Sequence, residues 1–112
     1  MENILSLESE IELFLNTNNF TVLYFSTPDC TVCKVLKPKL IEFLEENFSK
    51  FKFGYVDLSQ LKESAAQRNI FTVPTILFLY EGKEFIRKAR HINFGELYDE
   101  LSRFYSMVVS PV

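Results

Sequence analysis

Six consecutive residues, Thr75-Ile76-Leu77-Phe78-Leu79-Tyr80, carry no charge and no interruption of their apolar character. A strand with one wet face alternates apolar and polar residues. An unbroken β-branched and aromatic run is stable as a strand only where both faces are covered. The chain must therefore build a sheet with packing on each side. Phe20-Thr21-Val22-Leu23-Tyr24-Phe25 is a second run of this kind, and residues 51–57 read as a third strand. Apolar residues at helical spacing separate them: Leu7, Ile11, Phe14 and Leu15, then Leu36, Leu40, Phe43, Leu44 and Phe48. Phe94, Leu97, Leu101 and Phe104 mark a last helix.

The boundaries follow from local chemistry. Ile4-Leu5 gives a very short first strand. Ser6 or Ser9 is available to cap the first helix, and Ser9 with Glu12 has capping-box spacing. Pro38 cannot donate to the Lys34 carbonyl and should kink the long helix one turn past residue 34. Ser59 can cap a short helix running to Asn69, with Leu61 and Ala65 inward. Glu81-Gly82 is a tight turn into a more exposed strand over residues 83–90. Asn93 and Glu96 form another helix-starting box, and residues 107–112 read as a frayed apolar terminus. The order (short β)αβαβαββα is an α/β fold. Alternating units give parallel strands, and the late hairpin adds an antiparallel edge.

At 112 residues the chain is expected to be one domain over 1–112. Its net charge of −3 and its lack of a basic stripe argue against a nucleic-acid partner. No apolar run approaches the ~20 residues of a membrane span. The first residues are acidic and lack the basic start and cleavage site of a secretory signal, which points to the cytoplasm.

The only two cysteines, Cys30 and Cys33, follow the second apolar run and open the long helix. Three residues apart on a helix they share a face, with Cα atoms roughly 5 Å apart, inside the window for a disulfide. A helix N-terminus favours thiolate over thiol, so Cys30 is placed to attack and Cys33 to resolve. Two buried, inert thiols are the plain alternative. Metal binding is a poorer one, because a closed zinc site wants four ligands and only His91 could join the pair.

The Cys-x-x-Cys after a buried strand, Pro38 eight residues past Cys30, and Val73-Pro74-Thr75 before an apolar strand resemble the thioredoxin family. The resemblance runs from about residue 6 to residue 104. It implies a thioredoxin fold and a thiol–disulfide oxidoreductase that reduces protein disulfides. It also implies no bound cofactor, a thioredoxin reductase as electron donor, and a monomer. By the same resemblance Pro74 is cis and faces the cysteines, and Val73 offers its backbone to an extended substrate segment. Lys34, Gly95 and Leu97 match further family positions.

The departures from the family are equally specific. Tryptophan is absent, and Val32 stands where a proline usually precedes the second cysteine. Tyr24 replaces the family's buried acid and is a poor proton acceptor, which implies slower activation of Cys33 or activation through water. Asp29, beside the nucleophile, is either a helix cap or a group that raises the Cys30 pKa. Arg90, followed by His91, replaces a glycine beside the substrate groove. Arg90 either clamps an acidic substrate or steadies the Cys30 thiolate, or is simply solvated. His91 alone reads as a surface histidine, and Lys34, Lys37 and Lys39 as a solvated helix face. These losses favour a rival, a thioredoxin-fold adaptor that holds peptides along Val73-Pro74 and rarely turns over. Retention of both cysteines favours the enzyme. A glutathione-dependent activity ranks lower, since its glycine pair is not evident around residues 89–95.

Overall fold

A computed structural model describes residues 2–108 and the backbone of residue 109. The chain runs β1 (Glu2–Leu5), α1 (Glu8–Thr17), β2 (Phe20–Ser26), α2 (Thr31–Asn47), β3 (Lys52–Asp57), α3 (Lys62–Gln67), β4 (Thr75–Tyr80), β5 (Lys83–Ala89) and α4 (Phe94–Val109). The strands form one sheet in the order β1-β3-β2-β4-β5. β2 and β4 are the inner strands with continuous apolar sequences, and each is buried on both faces as their composition requires. One core lies between the sheet and α2 with α4, around Tyr24, Leu40, Phe78 and Leu97. The other lies under α1 and α3, around Ile11, Phe25, Val56 and Leu77.

β1 and β2 both run parallel to β3, whereas β4 is antiparallel to β2 and to β5. The antiparallel part of the sheet thus begins at its centre and not only at the final hairpin. The connection over residues 58–74, which contains α3, returns to the end where β3 stops, and β4 starts there. That direction matters for the site. Phe25 pairs with Thr75, so Val73-Pro74 arrives beside the end of β2, from which the chain leads into Cys30.

Several local expectations are met. Glu81 and Gly82 both have positive φ, 50° and 82°, as a two-residue hairpin turn demands. Asn93 accepts a hydrogen bond from the Glu96 amide through Oδ1 at 3.0 Å and caps α4. Others are corrected. Neither serine caps α1: Leu7 is at the cap, and the Glu10 carboxylate accepts from the Ser6 and Leu7 amides at 2.6 and 3.1 Å. Ser59 does not cap α3, which begins after Leu61. Its amide and hydroxyl instead donate to Asp57 at 2.9 and 2.6 Å. Lys37 is not merely solvated, because it pairs with Glu2 at 2.8 Å and lies 4.7 Å from the Tyr55 ring centroid. Met107 and Val108 continue α4, with Val108 against the core. Residues 110–112 of the expected tail lie outside the described residues.

Arg68 ties α3 to α1, donating to Glu8 through both terminal nitrogens at 3.1 Å and to Glu12 at 3.3 Å. These bonds hold the Glu8 carboxyl at about 2, down from an ordinary 4.5. A depressed carboxyl stabilises the fold fully above its unfolded pKa, and that contribution disappears as pH falls through the folded one. Glu8 is 39% exposed, so solvent screening limits the effect to about 1 kcal/mol or less. Glu8→Gln should lower the urea midpoint near pH 6, and the difference from the parent protein should shrink as pH falls from about 4 towards 2.

Candidate active site

β2 ends at Ser26, and Thr27-Pro28-Asp29 turns the chain into α2. The Cys30 amide donates to the Thr27 carbonyl at 3.2 Å, which closes that turn. Cys30 is itself the N-cap residue of α2. Its sulfur accepts from the Cys33 amide at 3.2 Å, and its carbonyl accepts from the Lys34 amide at 3.2 Å. Cys30 and Cys33 form a disulfide with their Cα atoms 5.3 Å apart, as the spacing implied. The two sulfur-bearing residues differ in exposure: Cys30 is half-buried, while Cys33 is 1% exposed.

Asp29 does not cap the helix, because Cys30 occupies that position. Its carboxylate is exposed and accepts from the Thr27 hydroxyl at 2.8 Å. Tyr24 is wholly buried in β2, and its hydroxyl donates to the Cys33 carbonyl at 2.7 Å. Burial, with a smaller contribution from neighbouring Tyr55, pushes its phenol well above the usual value. It therefore stays protonated and acts at Cys33 as a hydrogen-bond donor, never as a base.

The Val73–Pro74 peptide bond is cis, and Pro74 is buried with Val73 half-buried beside it. The Pro74 carbonyl accepts from the Arg90 amide at 2.7 Å, which joins this segment to the end of β5. Arg90 has a φ of 73°, and the next amide, that of His91, donates back to the Ala89 carbonyl at 2.9 Å. That is a γ-turn centred on a left-handed residue, a rare arrangement outside glycine. It costs of order 1–3 kcal/mol. The glycine expected at this position by resemblance fits this backbone, and Arg90 occupies it against that cost.

Arg87 plays a part that sequence reasoning missed. Its guanidinium donates to the carbonyls of Arg68 and Asn69 at 2.8 and 2.9 Å while Glu84 holds it at 2.8 and 2.9 Å. It thereby clamps the chain just after α3, five residues before Pro74. Asn69, at φ 60°, ends α3, where the Ile70 amide donates to Ala65 and the Asn69 amide to Ala66. Residues three apart on a regular strand face opposite ways. The register of β5 shifts between Phe78 and Leu79 of β4, and this irregularity is what brings Glu84 and Arg87 together. No sequence signal locates such a bulge.

Beside the cysteines, a groove of about 490 Å³ separates the start of α2 from the segment joining β5 to α4. Thr31 and Val32, the two residues between the cysteines, line it together with Arg90 and His91. Among the described residues, no group of three or more His, Cys, Asp or Glu side chains could hold a metal. Nor, among them, is any helix long and apolar enough to cross a membrane.

The thioredoxin family profile matches residues 5–103. The chain is 36% identical over 97 residues to thioredoxin-like protein YdfQ of Bacillus subtilis, covering 87% of this chain and 86% of that protein. It is 29% identical over 90 residues to thioredoxin of Mycoplasmoides gallisepticum, covering 80% of this chain and 89% of that protein. The structure superposes on Fasciola hepatica thioredoxin with a TM-score of 0.77 at 26% identity, over 90% of this chain and 97% of that one. A mutant thioredoxin from Halobacterium salinarum gives a TM-score of 0.80 at 17% identity, over 92% and 89% of the two chains, and bears on the fold alone.

Proposed function

Because the chain belongs to the thioredoxin family and is a thiol–disulfide oxidoreductase, we propose that Cys30 is its nucleophile and Cys33 its resolving thiol. The observation that carries this assignment is the asymmetry of the pair. Cys30 is the N-cap residue and only half-buried, while Cys33 is enclosed. In the reduced protein the Cys30 thiolate attacks one sulfur of a protein disulfide. That S–S bond breaks, a mixed disulfide forms, and the first substrate sulfur leaves as a thiolate that takes a proton from water. Cys33 then loses its proton to water and attacks the Cys30 sulfur. The second substrate thiolate leaves and is protonated, and the Cys30–Cys33 disulfide remains. Two electrons and two protons have passed to the substrate, with no bound cofactor.

In this reading Val73 and Pro74 receive the extended segment around the substrate disulfide, with Arg90 at its side. The exposed Asp29 carboxylate next to Cys30 opposes the helix dipole, and Tyr24 positions Cys33 from below. Regeneration falls to a thioredoxin reductase, and the protein works as a monomer in the cytoplasm. Support for this setting is its likeness, over most of their length, to proteins named thioredoxin. The adaptor alternative is not favoured, since both cysteines are kept and positioned to bond.

Thiol labelling and mass measurement in graded redox buffers test the assignment. One reversible two-electron transition between Cys30 and Cys33, near or below about −270 mV, is expected of a reductant. A much higher potential would indicate an oxidant or isomerase. Absence of any reversible disulfide would overturn the proposal.

A further inference from the structure

The groove beside the cysteines has two features that reduction of an arbitrary disulfide does not require. Its α2 wall is a stripe at helical spacing, Val32, Val35, Leu36 and Lys39, of which Val32 and Val35 are 58% and 54% exposed. Apolar side chains in that number, open to water on the rim of a reactive centre, mark a contact surface. The second feature is charge. Lys39 and Arg90 both line the groove, and among the described residues no carboxylate lines it and neither cation makes an ion pair. Lys37, Arg68, Arg87 and Lys88 are held by glutamates, whereas Lys39 and Arg90 belong to the Lys and Arg residues that form no ion pair among the described residues. Two unneutralised cations over an apolar floor are complementary to a segment that carries acidic and apolar residues side by side.

The position of Arg90 adds a reason to place that segment on the substrate. Its amide is bonded to the Pro74 carbonyl, so its side chain leaves the backbone next to where the substrate disulfide is to lie. An arginine is also kept where the backbone favours glycine, and strain retained at a site is a ground for asking what it does there.

Resting on the reading of Cys30 and Cys33 as a reductase pair, we propose that this groove selects protein disulfides flanked by Asp or Glu beside an apolar residue, with Arg90 and Lys39 as the specificity-determining groups. The apolar residue packs on Val32 and Val35. The carboxylates pair with the two cations, which speeds encounter more than it changes the exchange chemistry.

The test uses the reduced full chain and three probes. Two are synthetic disulfide peptides, identical except that one cysteine is flanked by Leu-Glu-Glu in the first and Leu-Lys-Lys in the second. The third is the small uncharged bis(2-hydroxyethyl) disulfide. Each second-order rate is measured by quench and thiol labelling, then divided by the same probe's rate with dithiothreitol, which removes differences in intrinsic reactivity. The glutamate peptide should react about tenfold faster than the lysine peptide at low ionic strength, with the ratio shrinking as salt is added. Arg90→Glu combined with Lys39→Glu should invert the ratio, the small disulfide reporting on the variant's chemistry. A ratio of one in the parent protein, or a ratio that the double variant leaves unmoved, overturns the selective groove while the reductase assignment stands. Failure to reduce any of the three overturns both.

Discussion

Cys30→Ser is expected to abolish turnover completely, and Cys33→Ser to convert the protein into a trap that stays covalently attached to its substrate. The two cysteines are about one turn apart in the chain, but their surroundings separate their roles. The Cys30 sulfur accepts the Cys33 amide at the positive end of α2, where the thiolate is favoured. A serine hydroxyl there stays protonated at neutral pH and cannot displace a thiolate from a disulfide. Without Cys33, the first exchange still runs, because Cys30 is the less buried partner, but nothing inside the protein can release the product. Non-reducing electrophoresis and intact mass show the difference directly. Cys33→Ser should carry a stoichiometric substrate adduct removed by dithiothreitol, and Cys30→Ser none. An adduct on Cys30→Ser instead would reverse the assigned roles.

The other large effect belongs to Tyr24. Its ring is wholly buried, with centroids 5.4 Å from Phe53 and 6.4 Å from Tyr55, and its hydroxyl reaches the Cys33 carbonyl. Tyr24→Ala empties the core beneath the cysteines and should cost about 3–5 kcal/mol, as buried aromatic truncations do. Tyr24→Phe keeps the ring and removes only the hydrogen bond, for about 1 kcal/mol. Urea unfolding separates the two variants. The alkaline limb gives a second reading with a definite sign. Burial raises the phenol pKa, so Tyr24 favours folding fully below the usual value of about 10, and that stabilisation declines as pH rises above it. Tyr24→Phe should therefore lose less stability than the parent protein between about pH 10 and the onset of general alkaline unfolding.

What the sequence disclosed depended on whether a feature is written in side-chain chemistry or in geometry. The uncharged run of β4 required a sheet covered on both faces, and β4 has that environment. Glu81-Gly82 and Asn93 act locally, so their residue types suffice to place a turn and a cap. The cysteine pair was legible for the same reason, being fixed by spacing within one helix. The direction of β4 was not, because it depends on where the connection over residues 58–74 delivers the chain, which no residue type in it announces. Arg87 escaped notice because its clamp depends on a register shift in β5 that no residue type announces. Arg90 was placed beside the groove through resemblance, yet its left-handed backbone emerges only once the Pro74 carbonyl and the γ-turn fix its φ. Ser9 and Ser59 illustrate the reverse error. Both fit a capping pattern, but the Glu10 carboxylate takes the amides before α1, and Ser59 donates to Asp57 while α3 begins after Leu61 without a side-chain cap.

A chain without tryptophan offers no intrinsic indole emission with which to watch its own chemistry. The Cys33 amide proton fills that gap. It is bonded to the very sulfur that passes from thiolate to mixed disulfide to intramolecular disulfide. An anionic sulfur is a far stronger acceptor than a divalent one. The nitrogen-bound proton of residue 33 should therefore move downfield and exchange slowest in the reduced protein, so one resonance in a heteronuclear spectrum can clock each stage of the cycle.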